Sequence, residues 1–268
     1  MSAITHASAS STPTPSTSNG PLRTTLRLTG MELRLLLREP MVAVGLVGFP
    51  LVTVLVLAGV FGQGPDPDFG GVAPSDHYLA GYVGVVLSAM GLITIPVHLA
   101  SHRELGVLRR FRSSGLSAGV LVATEITLGI VLGTVAATVV LLTGAAVYGL
   151  QMPLDPIGVL GWYLAGLACF TAVGVALGSV LPSGRAANAL GNLVFVPMFL
   201  LGGGGPPRAV MTAGMRTLSD LLPLSHVIGG LRQAWLGTTD DPQALWWPLV
   251  VGALAVGVAL LMARRRAG

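Results

Sequence analysis

Six apolar runs, each about as long as a bilayer is thick, decide most of what this chain can become. They lie at about Met41 to Phe61, Tyr78 to Ala100, Ala118 to Leu150, Ile157 to Leu181, Ala186 to Leu201 and Leu245 to Ala263. About 20 apolar residues cross the hydrocarbon core as a helix. Of the 268 residues 52% are hydrophobic and only 10% charged, where soluble domains carry about a quarter charged. The mean hydropathy of +0.77 agrees. The expected fold is therefore an all-α membrane protein with six transmembrane helices. The third run exceeds what a bilayer needs, so it is expected to tilt or project.

The basic residues orient these spans. All fifteen are arginine, with no lysine. Arg23, Arg27, Arg34 and Arg38 precede the first span, and Arg103, Arg109, Arg110 and Arg112 separate the second from the third. Arg185 separates the fourth from the fifth, and Arg264, Arg265 and Arg266 follow the sixth. In a six-span chain these all fall on one side. Arg208, Arg216 and Arg232 share the other side with all the aspartates. Positive charge concentrates in cytoplasmic loops, so both termini are expected in the cytoplasm of a multi-pass plasma-membrane protein. The arginine-only, Ala/Gly/Val-rich usage points to a GC-rich bacterial genome.

Residues 1–21 are expected to form a disordered cytoplasmic tail, because a Ser/Thr/Pro-biased stretch cannot build a core. It has neither the basic region nor the apolar segment of a signal peptide. Residues 22–268 form the six-span domain. Within it, residues 22–38 are not a span. Their four arginines share one arc of a helical wheel, and Leu22, Leu26, Leu33 and Leu36 share the adjoining arc. That pattern describes an amphipathic helix lying in the membrane interface.

Between the second and third spans lies HRELGVLRRFRSSGLS, residues 102–117. On a helical wheel Leu105, Val107, Leu108 and Phe111 face one side, and Arg103, Gly106, Arg109 and Arg110 face the other. A short amphipathic helix of this kind lies on lipid or enters a groove on a partner. Serines and glycines then end it.

This segment resembles the cytoplasmic loop of the type-2 export class of ABC transporter permeases, which carries Arg-Glu-x-Gly-x-Leu; here it reads Arg103-Glu104-Leu105-Gly106-Val107-Leu108. Ser114-Gly115-Leu116 replaces the Thr-Pro-Leu common in that family. A second likeness follows the fifth span, where the family has two short re-entrant helices. Pro206-Pro207, Pro223-Leu224 and Leu231-Arg232 occupy their marks, with Gly202 to Gly205 ahead. The likeness covers about residues 22 to 263.

The resemblance implies a cytoplasmic coupling helix, external re-entrant helices before the last span, and a second permease copy, most simply a homodimer. It also implies two copies of a separate ABC ATP-binding subunit, which would bind ATP and Mg, so this chain would need no cofactor of its own. Arg103, Glu104, Gly106, Leu108, Arg110 and Phe111 would then meet the ATPase subunit, and Pro206, Pro223 and Arg232 would shape the external segment. The implied cargo is a hydrophobic or amphipathic small molecule of the drug or antibiotic type, moved outward. A polysaccharide or lipid-linked glycan is the alternative.

Other residues carry chemistry in principle. Glu125 is the one acid near the body of a span, where charge is costly and usually faces a partner or a water-filled path. It is a candidate for the conduit or for a structural ion pair. Asn188 and Asn192, four apart on the fifth span, would line the conduit or bond between helices. His98 and His102 have helical metal spacing with Glu104 nearby, but no further histidine or cysteine completes a shell, so no metal is expected. Gly129 and Gly133, and Gly174 and Gly178, are spaced for close helix approach. Cys169 is a small packing residue.

Several function classes are excluded. A P-loop needs a lysine for the phosphates, and none exists here. There is no Gly-x-Ser-x-Gly elbow, no His-Glu-x-x-His, and no basic domain with interleaved aromatics for nucleic acid. An autonomous secondary transporter or channel is the rival class. It would place membrane-embedded charges on several spans, and essentially only Glu125 qualifies.

Overall fold

The computed structural model describes residues 21–38, 48–62, 64–106, 118–149 and 151–265. Among them every regular element is helical. The elements are α1 (Pro21–Arg38), α2 (Phe49–Val60), α3 (Pro74–Ala89), α4 (Ile95–Glu104), α5 (Ala118–Tyr148), α6 (Pro156–Val180), α7 (Gly184–Leu201), α8 (Ala213–Leu221), α9 (Pro223–Leu236) and α10 (Trp246–Arg265). Five stretches are long and apolar enough to cross a membrane: Pro67–Glu104, Val122–Tyr148, Pro156–Val180, Gly184–Leu201 and Trp246–Arg265. They correspond to the second to sixth expected spans. The described part of the first, Leu51–Val60, is a shorter apolar helix; residues 39–47 lie outside the described residues, as do the 1–20 tail and residues 107–117.

Local chemistry sets the helix ends. Proline opens α3, α6 and α9, at a position whose N–H has no intrahelical partner anyway. Asp155 accepts from the Gly158 amide at 2.9 Å and Ser183 from the Ala186 amide at 3.2 Å, which caps α6 and α7. The α3–α4 junction has its own cause. Pro96 cannot donate to the Leu92 carbonyl, and the helix widens into a π-turn over Met90–Thr94, with the Ile95 amide reaching the Met90 carbonyl.

The α3–α4 rod is the centre of the fold. Tyr78, Leu79, Tyr82, Val85, Val86, Leu87 and Met90 are fully buried. α6, α7 and α9 pack round the rod, α2 and α5 complete the enclosure, and α10 lies along α6. α10 turns Leu254, Leu260 and Leu261 outward, as a helix bordering lipid does.

Close packing at the π-turn depends on glycine. A Cβ at Gly174 would stand 2.7 Å from the Gly91 carbonyl oxygen. Cβ atoms on Gly91 and Gly191 would run into the carbonyl oxygens of Phe170 and Leu92. Gly129 and Gly133 admit Ile95 and Met90, at 2.8 Å and 2.7 Å from their would-be Cβ atoms. Of the glycine pairs spaced by four in the sequence, Gly129, Gly133 and Gly174 thus converge on the π-turn, and Gly178 admits Leu99 further along α4. Cys169 is buried beside Gly252 of α10.

Candidate functional site

Arg103 and Glu104 form the last turn of α4, not the start of a separate helix. The α4 rod runs past Ala100 to Glu104, and the chain then turns at Gly106, whose φ of +67° is the left-handed conformation that glycine accepts freely. This corrects the sequence-based boundary. Leu108, Arg110 and Phe111 lie outside the described residues.

The two side chains reach in opposite electrical directions. Arg103 Nη1 donates to the carbonyls of Gly178, Ser179 and Leu181, at 2.6, 2.9 and 3.1 Å, at the carboxyl end of α6. Glu104 Oε2 accepts from the Gly184 amide at 3.1 Å, at the amino end of α7. A cation on a helix C-terminus and an anion on a helix N-terminus are each favoured by the helix dipole. Together they clamp the α6–α7 turn to the end of α4. The resemblance implies that both residues meet an ATPase subunit; within this chain they hold the α6–α7 turn.

Arg103→Ala is expected to cost about 2 kcal/mol, given about 1.5–3 kcal/mol for one well-made charged hydrogen bond and partial exposure of this site. Thermal unfolding in detergent should show a fall of several degrees. An unchanged midpoint would mean that the clamp does not bear on stability.

One residue back on α4, His102 Nδ1 lies 2.8 Å from Glu125 Oε1 of α5. Glu125 is 3% exposed and faces this histidine. His98 stacks edge-on to His102, ring centres 6.2 Å apart. One ligand atom from each of His98, His102 and Glu125 lies within 4.8 Å of the others. Glu104, the carboxylate that sequence proximity places beside the histidines, is engaged at Gly184; Glu125 takes that position through the fold.

A fourth residue joins from α1, which lies along α5. Arg23, Arg27, Arg34, Leu22 and Leu26 are exposed, as an interfacial helix requires, but the inward face carries Thr25, Thr29 and half-buried Glu32. Burial pushes the Glu32 carboxyl up to about 7; the Glu125 charge adds to this and His102 opposes it. The Thr29 hydroxyl and Glu32 Oε2 are buried without a hydrogen-bond partner. Sequence reasoning missed this face. The Thr25-Thr29-Glu32 spacing, one side of a helix, was its signal.

Asn188 and Asn192 share a face of α7, and the Asn192 amide donates to the Asn188 carbonyl and side-chain oxygens at 2.8 and 2.9 Å. Both are exposed, as are Leu193 and Val196. Among the described residues they make no bond between helices; they form a polar patch on an outward apolar surface.

At the opposite end of the rod Arg232 of α9 is 1% exposed. Its Nε donates to the His77 carbonyl at 3.0 Å, Nη1 to Asp241 Oδ2 at 2.6 Å and Nη2 to the Gly203 carbonyl at 2.6 Å. Tyr78 and Tyr82 donate to the Gly205 and Gly204 carbonyls at 3.1 and 3.3 Å. Pro206 follows this glycine turn half-buried, and Pro223 opens α9. Nearly all of α9 is buried, Val227 fully, whereas α8 buries only Ser219 and leaves Leu218 55% exposed. The two helices of the expected cap thus differ: α9 is core and α8 is surface.

Helices of this length and hydropathy, packed round a buried rod, define a multi-pass membrane protein. A family model described as ABC-2 type transporter matches residues 24–236, and the chain belongs to that family. It is an ABC-type permease, a transport subunit of the kind that works with separate ABC ATP-binding subunits and typically lacks an ATPase site. No curated protein gave a significant match.

Proposed function

We propose that this chain is the membrane subunit of an exporter that moves a hydrophobic or amphipathic small molecule outward, as two copies bound to two ATP-binding subunits. The observation that carries the reading is the Arg103–Glu104 clamp. It ties the residues leading into segment 107–117 to both helix ends of the α6–α7 turn, so a push on that segment reaches three spans at once. The exposed Asn188–Asn192 patch on α7 supplies a polar strip on an apolar surface. Between two copies, that strip would border a conduit for an amphipathic cargo. The arginine-rich end is cytoplasmic in this reading, and buried α9 closes the outer end as a re-entrant helix, since non-spanning backbone at membrane depth must be buried in protein.

Purification from native membranes is the test. An ATPase subunit should come along in stoichiometric amount, and vesicles holding both should export lipophilic cargo only with ATP. In the same vesicles Arg103→Ala should retain ATP hydrolysis and lose at least tenfold in transport. Full-rate transport by this chain alone, without nucleotide, would overturn the proposal.

A further inference from the structure

The buried group under α1 has a composition that helix packing does not require. Two imidazoles and a carboxylate, His98, His102 and Glu125, converge within 4.8 Å from two different helices. A second carboxylate, Glu32, lies on the inward face of α1, which packs along α5. Its buried Oε2 lacks any hydrogen-bond partner, an arrangement that costs about 1–3 kcal/mol or more for a charged group. In a chain with so few charged residues, the buried Glu125 carboxylate calls for a cation beside it, which His102 supplies only when protonated. The arginine nearest in sequence, Arg103, is turned away onto the α6 carbonyls.

We infer that His98, His102 and Glu125 form a binding site for a divalent transition-metal ion, zinc foremost. The donor set selects the ion. Calcium and magnesium take all-oxygen shells, whereas imidazole suits zinc and its first-row neighbours. Two histidines and a glutamate are a known three-ligand zinc set, with the fourth place left to water or another group. Zinc–nitrogen and zinc–oxygen bonds of about 2.0–2.2 Å place neighbouring donors about 3.3 Å apart in a tetrahedral shell. Side-chain shifts of about an ångström would close the shell without moving a helix. The ion would neutralise the Glu125 carboxylate and bind α4 to α5, next to the Arg103–Glu104 clamp.

The test uses zinc ion alone on the full chain, purified in detergent and stripped with chelator. One zinc per chain should bind, and cobalt in its place should give the visible absorption of a four- or five-coordinate site with nitrogen ligands. The double variant His98→Ala/His102→Ala and the single variant Glu125→Gln should each weaken zinc at least tenfold. His226→Gln, which removes a distant histidine, should leave it unchanged. No zinc above the blank, or equal affinity in the double variant, would overturn the inference, the latter marking an adventitious ion only. Should the variants fail to fold, the cobalt spectrum of the unaltered chain decides, and a spectrum of hydrated cobalt alone would refute the site. The readout is binding, so its outcome is independent of whether the chain exports anything.

Discussion

Arg232→Met is expected to destabilise the protein by about 3–5 kcal/mol, the usual cost of removing one partner of a buried ion pair. The loss should exceed that of any other single charge removed from the chain. Three acceptors in three directions depend on this guanidinium: the His77 carbonyl on α3, the Gly203 carbonyl in the glycine turn and the Asp241 carboxylate beyond α9. Without it all three lose this donor, and only the Tyr78 and Tyr82 hydroxyls still tie the glycine turn to α3. Arg232→Lys should be nearly as damaging, because a single ammonium cannot reproduce a planar fork of donors. Asp241→Asn should be milder, since both carbonyl bonds remain and the amide oxygen still accepts. Thermal unfolding in detergent, followed by the tryptophans, orders the three. If Arg232→Met melts with the parent protein, this end of the rod is not held by this residue.

Gly91→Val is expected to be about as severe. Its first side-chain atom would meet the Phe170 carbonyl oxygen, which belongs to helix backbone and cannot swing aside. Overpacking of a tight core costs about 1–3 kcal/mol, occasionally more. This position lies at the upper end, because Gly174 and Gly191 bring two neighbouring helices equally close to the same π-turn. Gly257, within α10, meets nothing within 4 Å, and Gly257→Val serves as the comparison. Folded yield and melting temperature should collapse for Gly91→Val and hold for Gly257→Val. Equal behaviour would show that the α3–α6 contact is looser than described.

Much of this architecture was legible because its causes are local or periodic. Hydropathy located the second to sixth spans to within a few residues at most ends, since backbone in lipid must be helical. Arginine and leucine arcs placed α1 at a surface, and glycines spaced by four foretold close helix approach. The Arg-Glu-x-Gly-x-Leu segment and the prolines about α8 and α9 carried the family. The end of α4 was misjudged because polarity at Ser101 and His102 marks a membrane edge, not a helix end; the helix continues until Gly106 takes a positive φ.

The sequence by itself determined that this chain is helical, crosses a membrane several times and has no lysine for a P-loop of its own. Only the tertiary structure decided what its few charges do. Arg103 and Glu104 have neighbours in space about 75 to 80 residues away, Glu125 meets His102 across two helices, and Arg232 finds His77 from 155 residues distant. No periodicity records such pairings, because a buried charge is indifferent to where in the chain its partner lies. In a medium that solvates neither, it is held by whichever opposite dipole or charge the packing of the helices delivers.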